Sequence, residues 1–98
     1  MFKVDKNADT LGTSFHGITF LATPAELVEA FGDADNSGDD KVNLEWLFSN
    51  EKGDGFTVYD WKEYRRLDES DRVEWHIGSM NPELEVDFRD WVIEKLSK

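Results

Sequence analysis

Two hydrophobic rhythms, of period two and period 3.6, follow one another along this chain, and the switches between them mark out its elements. Residues 14 to 21 (SFHGITFL) favour a strand through Phe15, Ile18, Thr19 and Phe20, with Gly17 placed for a bulge. A helix is predicted directly after it. Thr23 is the N-cap, Pro24 takes the first helical position and Glu26 completes a T-x-x-E capping box, while Leu27, Val28 and Phe31 form an apolar stripe that Gly32 ends. A helix this short is marginal by itself, so its stripe must lie on a sheet. Val42, Leu44, Trp46 and Phe48 then alternate with Asn43 and Glu45, the pattern of a half-buried strand. Residues 49 to 55 (SNEKGDG) form a turn with Asp54-Gly55 as the reversal point, and residues 56 to 61 (FTVYDW) return beside the first strand. After a charged connection over residues 62 to 72, Val73, Trp75 and Ile77 alternate with Glu74 and His76 in one more strand.

The last helix is capped by Asn81 and opened by Pro82. Leu84, Phe88, Trp91, Val92 and Leu96 share one of its faces, with Glu83, Glu85 and Asp87 near the positive end of its dipole. The expected fold is therefore α+β, in the order β-α-β-β-β-α, with a mainly antiparallel four-stranded sheet and helices on one face. Residues 1 to 12 read as a flexible arm that Phe2 and Val4 can tack to the body, and residues 13 to 98 as a single domain.

Charge changes this picture more than length does. The 98 residues carry 22 Asp and Glu against 11 Lys and Arg, a formal net charge of −11, yet 39% are hydrophobic, so this is a folding chain and not a disordered acidic tail. A field of that sign disfavours nucleic acid and anionic membrane and favours basic partners. Residues 26 to 60 hold ten acids against Lys41 and Lys52, which concentrates the charge on the first helix, the following loop and the central hairpin. The absence of cysteine excludes disulfides and thiolate chemistry. The polar start of the chain predicts no signal peptide, and a cytoplasmic protein is expected.

All four tryptophans follow an acid: Glu45-Trp46, Asp60-Trp61, Glu74-Trp75 and Asp90-Trp91. Neighbours in a strand point to opposite faces, so burying the tryptophans turns the acids to solvent. The open sheet face is thus expected to display Glu45, Glu74 and His76, together with Asp60. The loop over residues 33 to 40 invites a calcium reading, since Asp33, Asp35, Ser37 and Gly38 fit positions 1, 3, 5 and 6 of an EF-hand loop. The fit then fails, because position 8 is Asp40 and position 12 is Leu44; an acidic turn is the better reading. No metal or cofactor is expected. The two histidines, His16 and His76, lie in no catalytic or zinc motif, and no nucleotide fingerprint is present, so no enzyme is expected. The basic cluster of Lys62, Arg65, Arg66 and Arg72 is neutralised by Glu63, Asp68, Glu69 and Asp71.

The run from Thr23 to Gly32 (TPAELVEAFG), followed by Lys41-Val42, Glu45-Trp46, Tyr59-Asp60-Trp61-Lys62 and residues 74 to 78 (EWHIG), resembles a group of short acidic proteins of bacteriophages and prophages. The helix-loop-hairpin unit also resembles, in shape, the repeat of the outer-membrane assembly lipoproteins and the β-lactamase inhibitor protein. The phage resemblance implies no catalytic residues. It implies a setting in which small acidic proteins bind and disable host machinery. The expected function is a non-enzymatic inhibitor that presents a carboxylate-rich, DNA-mimicking surface to the basic groove of a host nucleic-acid-processing or defence complex, such as a CRISPR-associated effector. Asp33, Asp35, Asp39, Asp40, Glu45, Asp60 and Glu74 are the expected partner-binding residues. The alternatives are a structural or housekeeping acidic domain and a calcium-binding module.

Overall fold

In the computed structural model, which describes residues 1–10, 12–34, 44–61 and 67–97, the elements are β1 (Lys3–Val4), β2 (Ser14–Ala22), α1 (Pro24–Phe31), β3 (Glu45–Ser49), β4 (Gly55–Tyr59), β5 (Val73–Ser79), a 3-10 turn (Pro82–Leu84) and α2 (Glu85–Leu96). The α+β class holds. The sheet, however, has five strands in the order β1-β3-β4-β5-β2, every pair antiparallel, where four were expected. The fifth comes from the arm: Lys3 and Val4 pair with Ser49 and Phe48 on the outer edge of β3.

The anchor of that arm is Phe2. Its ring meets Phe56 and Phe88 edge-on at 5.2 Å each and Trp91 at 5.7 Å, so the chain start is held by aromatic packing as well as by a two-residue ladder. Around it lies one hydrophobic core in which the inward positions of the strands (Phe20, Trp46, Phe48, Phe56, Val58, Trp75 and Ile77) meet Leu27 and Phe31 of α1 and Phe88 and Val92 of α2. Both helices therefore cover the same face.

Local chemistry accounts for α1. The Glu26 N–H donates to Thr23 Oγ1 at 3.2 Å and the Thr23 N–H donates to Glu26 Oε1 at 2.9 Å, closing the capping box, with Pro24 following the cap. Leu27 and Phe31, four residues apart, are buried, whereas Val28, about 100° further round the helix, is 42% exposed. Gly32 ends the helix at φ +85°. The bulge expected in β2 is present, with Gly17 at φ +98° and a register shift between Phe15 and Thr19.

The hairpin reverses earlier than Asp54-Gly55. The Asn50 side-chain oxygen accepts from the Lys52 and Asp54 N–H groups, Gly53 sits at φ +84°, and Gly55 is already paired with Ser49 in the ladder. Gly55 is glycine for another reason: a Cβ there would lie 2.0 Å from the Asp9 carbonyl oxygen. Among the described residues, no helix is long and apolar enough to cross a membrane.

Replacing Phe2 by Ala is expected to lower stability by about 3 kcal/mol, the lower end for losing a packed phenylalanine. Urea unfolding monitored by tryptophan fluorescence measures it, and Phe2→Leu is expected to recover about half of the loss.

Candidate functional site: the open face of the sheet

Since both helices cover one side of the sheet, the side chains of opposite parity form the other. Register places Glu45, Tyr59, His76 and Thr19 in one row across β3, β4, β5 and β2, and Leu47, Thr57, Gly78 and Phe15 in the next. Glu74 stands opposite Leu21 beyond the first row, and its Oε2 accepts from Thr19 Oγ1 at 3.3 Å. No Lys or Arg occupies any of these positions on β2 to β5; on the β1 edge Lys3 pairs with Ser49 and shares its side of the sheet.

One end of the face is roofed by the chain itself. To pass from the β1 edge to β2 at the opposite edge, the connection crosses the strand ends between them. Asp5 donates its N–H to Leu47 O at 2.9 Å and accepts from Ser49 Oγ at 2.8 Å, and the Asp9 carbonyl rests on Gly55. Ser49 and Thr57 are buried there. The Ser49 hydroxyl, and after it the Asn7 N–H, hold the Asp5 carboxyl below its usual range.

The uncovered remainder is a strip of rings. Phe15 lies 4.7 Å from His76, His76 stacks on Tyr59 at 5.7 Å with an interplanar angle of 26°, and Tyr59 meets Trp61 edge-on at 6.2 Å. Gly78, opposite Phe15, leaves this part of β5 without a side chain; a Cβ would lie 2.7 Å from Thr57 Oγ1. Phe15 is 44% exposed and Trp61 37% exposed. Burial, then the charges of Glu45 and Glu85, push the Tyr59 hydroxyl above its ordinary value of 10.0.

Three of the expected partner-binding residues stand where solvent or the open face can use them. Glu45 and Glu74 lie on the open face, and Asp33 is exposed just after α1. Asp35, Asp39 and Asp40 lie outside the described residues, as do Lys62, Arg65 and Arg66 of the basic cluster. Asp60 is a correction: it is 0% exposed, and its Oδ1 accepts from the Leu44 N–H at 2.8 Å. It shares the parity of Phe56 and Val58 and so turns inward, which sends Trp61 outward. In this acid–tryptophan pair the expected sides are exchanged. Trp46 and Trp75, by contrast, are buried with Glu45 and Glu74 on the other side.

A second cluster lies under the sheet, and the sequence reading missed it. Glu85, at the start of α2, is 0% exposed and accepts from Ser79 Oγ at 2.5 Å. His16 Nε2 lies 3.6 Å from Glu85 Oε2, 3.1 Å from Ser79 O and 3.2 Å from Ser14 Oγ. A carbonyl only accepts, so Nε2 carries its proton toward Ser79 O. A nucleophilic triad needs the acid on one ring nitrogen and the hydroxyl on the other. Here the acid and the Ser14 hydroxyl meet the same nitrogen, so the cluster lacks that arrangement and joins α2 to β2 and β5. The missed signal is that Glu85 stands three and seven residues before Phe88 and Val92, on their face of the helix.

A cleft of about 250 Å3 between α1 and α2 is lined by Glu26, Glu29, Ala30, Lys95 and Leu96. It lies below the usual range of small-molecule pockets. Among the described residues, no group of three or more His, Asp or Glu converges to hold a metal ion. No family model matches the chain, and no curated protein matches it.

Two outcomes are expected. In a Tyr64→Phe background, the phenolate absorbance of Tyr59 has its midpoint above pH 10. The folded chain holds that proton more tightly than the unfolded one, so the stability it contributes is complete below pH 10.0 and is lost as pH rises through the folded-state value. Glu85→Ala, which strands the Ser79 hydroxyl in a buried site, lowers stability by about 1–3 kcal/mol, whereas Glu85→Gln, which keeps an acceptor, loses less in the same urea titration.

Proposed function

We propose that this chain is a small non-enzymatic binding protein that docks its acidic open face on the basic surface of a host nucleic-acid-processing or defence complex. By occupying the groove that holds nucleic acid, it inhibits that complex, and a CRISPR-associated effector is the class of target that fits. The observation that carries this reading is the open face itself, where Glu45 and Glu74 stand on two strands that flank β4, and where the outward positions of β2 to β5 hold no Lys or Arg, Lys3 lying apart on the β1 edge. Carboxylates set on a hydrogen-bonded sheet meet a positive groove without first being ordered, which spares the entropy that a flexible acidic tail must lose. Asp33, exposed beside α1, extends the negative field. The resemblance to short acidic phage proteins supports the same setting.

The test uses a purified, guide-loaded CRISPR effector and fluorescently labelled target DNA, with binding read by anisotropy. The chain is expected to lower DNA occupancy, and the Glu45→Lys, Glu74→Lys double variant is expected to be at least tenfold weaker. Raising salt from about 50 to about 200 mM is expected to slow association sharply, as charge steering requires. DNA occupancy that stays unchanged, with no salt-sensitive capture of a basic protein from the native host, would overturn the reading.

A further inference from the structure

The carboxylates of the open face are too sparse to act alone. Glu45 and Glu74 are separated by two strand spacings and two residues along the strand, about 12 Å of backbone, whereas duplex DNA places a charge about every 1.7 Å along its axis. Rings fill the space between them. Two of those rings, Phe15 and Trp61, remain 44% and 37% exposed, on a chain with a net charge of −11. A run of rings that reaches solvent offers an apolar surface for contact, and the surrounding charge decides what can approach it.

We propose that this face recognises arginine: a guanidinium-bearing segment of a basic protein partner lies across the Phe15, His76, Tyr59 and Trp61 strip, with Glu45 and Glu74 at its margins. This rests on the reading of the face as a docking surface and names the side chain it selects. Arginine is planar and weakly hydrated; it stacks on aromatic faces while its N–H fork still pairs a carboxylate. Lysine carries the same charge on a compact, strongly hydrated ammonium with no plane to stack, so it gains from the carboxylates but less from the rings. Nucleic-acid bases also stack on such rings, but their phosphates meet repulsion from this chain. The rings run continuously, with centroids 4.7, 5.7 and 6.2 Å apart, so more than one guanidinium can be seated along them. The arm over residues 5 to 10 closes one end of the face, which directs the segment along the uncovered row.

The experiment titrates the full chain with fluorescein-labelled nona-arginine, nona-lysine and a 20-nucleotide oligothymidine, read by anisotropy at low and moderate salt. Nona-arginine is expected to bind at least fivefold more tightly than nona-lysine. Tyr59→Leu and Trp61→Leu, which keep apolar bulk and remove the rings, are expected to bring that ratio toward one by weakening nona-arginine much more than nona-lysine. If Tyr59→Leu fails to fold, Trp61→Leu with Phe15→Leu carries the same test at exposed positions. Equal affinity for the two peptides, both weakened by Glu45→Lys with Glu74→Lys, overturns the arginine proposal and leaves the acidic docking face standing. A preference that survives loss of the rings overturns the proposal as well. Failure of both peptides to bind, or tighter binding of the oligonucleotide, overturns both readings.

Discussion

The architecture turns on a pair of buried indoles. Trp46 and Trp75 meet edge-on at 5.4 Å on the covered side of the sheet, and each donates its ring N–H at 2.9 Å to a backbone carbonyl: Trp46 to Gly32 and Trp75 to Ala22. Those carbonyls bracket α1, one just before its cap and one just after its end. An eight-residue helix has little stability of its own. Here the two strands that form the floor of the core also fix both ends of the helix, so its capping box and buried Leu27 work on a segment already held. Losing the Trp75 donor would leave the buried Ala22 carbonyl without that partner, and such a loss costs more than the bond contributes.

The same indoles determine what the other side of the sheet can be. With Trp46 and Trp75 inward, strand geometry leaves Glu45, Glu74 and His76 outward, and antiparallel register brings Glu45 and His76 into one row through Tyr59. The helices cannot cover that side, because their apolar faces are spent on the core. Among the described residues outside the sheet, the arm is what reaches it. Phe2 is held among the core rings while Asp5 and Asp9 lie over Ser49 and Gly55, so the arm wraps the β3 edge and roofs one end of the face. The uncovered ring strip is what remains after these two demands are met.

The sequence was most legible where a single local rule governs the outcome. Thr23, Pro24 and Glu26 announce α1 without knowledge of anything distant, and the alternation around Trp46 and Trp75 orients β3 and β5. It was least legible where a residue answers to a distant part of the chain. Asp54-Gly55 has the form of a turn, yet the turn is made by Asn50 and Gly53, and Gly55 is required by a carbonyl 46 positions earlier. Phe2 cannot be assigned to a core from a polar stretch, because its partners lie on β4 and α2. Asp60 and Glu85 are different. Their faces follow from parity with Val58 and from helical spacing to Phe88, but charge argued for solvent; the structure meets that conflict with the Leu44 N–H for Asp60 and with the Ser79 hydroxyl for Glu85 Oε2, while Glu85 Oε1 is buried without a hydrogen bond among the described residues.

That conflict bears on how the net charge of −11 should be understood. Several carboxylates are engaged in holding the fold: Glu26 closes the cap of α1, Asp54 accepts from the Asn50 amide in the hairpin, Asp71 accepts from the Asp68 N–H, Asp5 ties the arm to Ser49, and Asp60 and Glu85 are buried. An acid engaged in this way is held in place by the fold and still contributes to the long-range field around the chain. On the open face of the described strands the acids are Glu45 and Glu74, and they stand beside the rings of Tyr59 and His76, with Glu74 itself accepting from Thr19. Under the proposed reading, the field of the whole chain attracts a basic partner, and the groups on this one sheet face decide which partner is held.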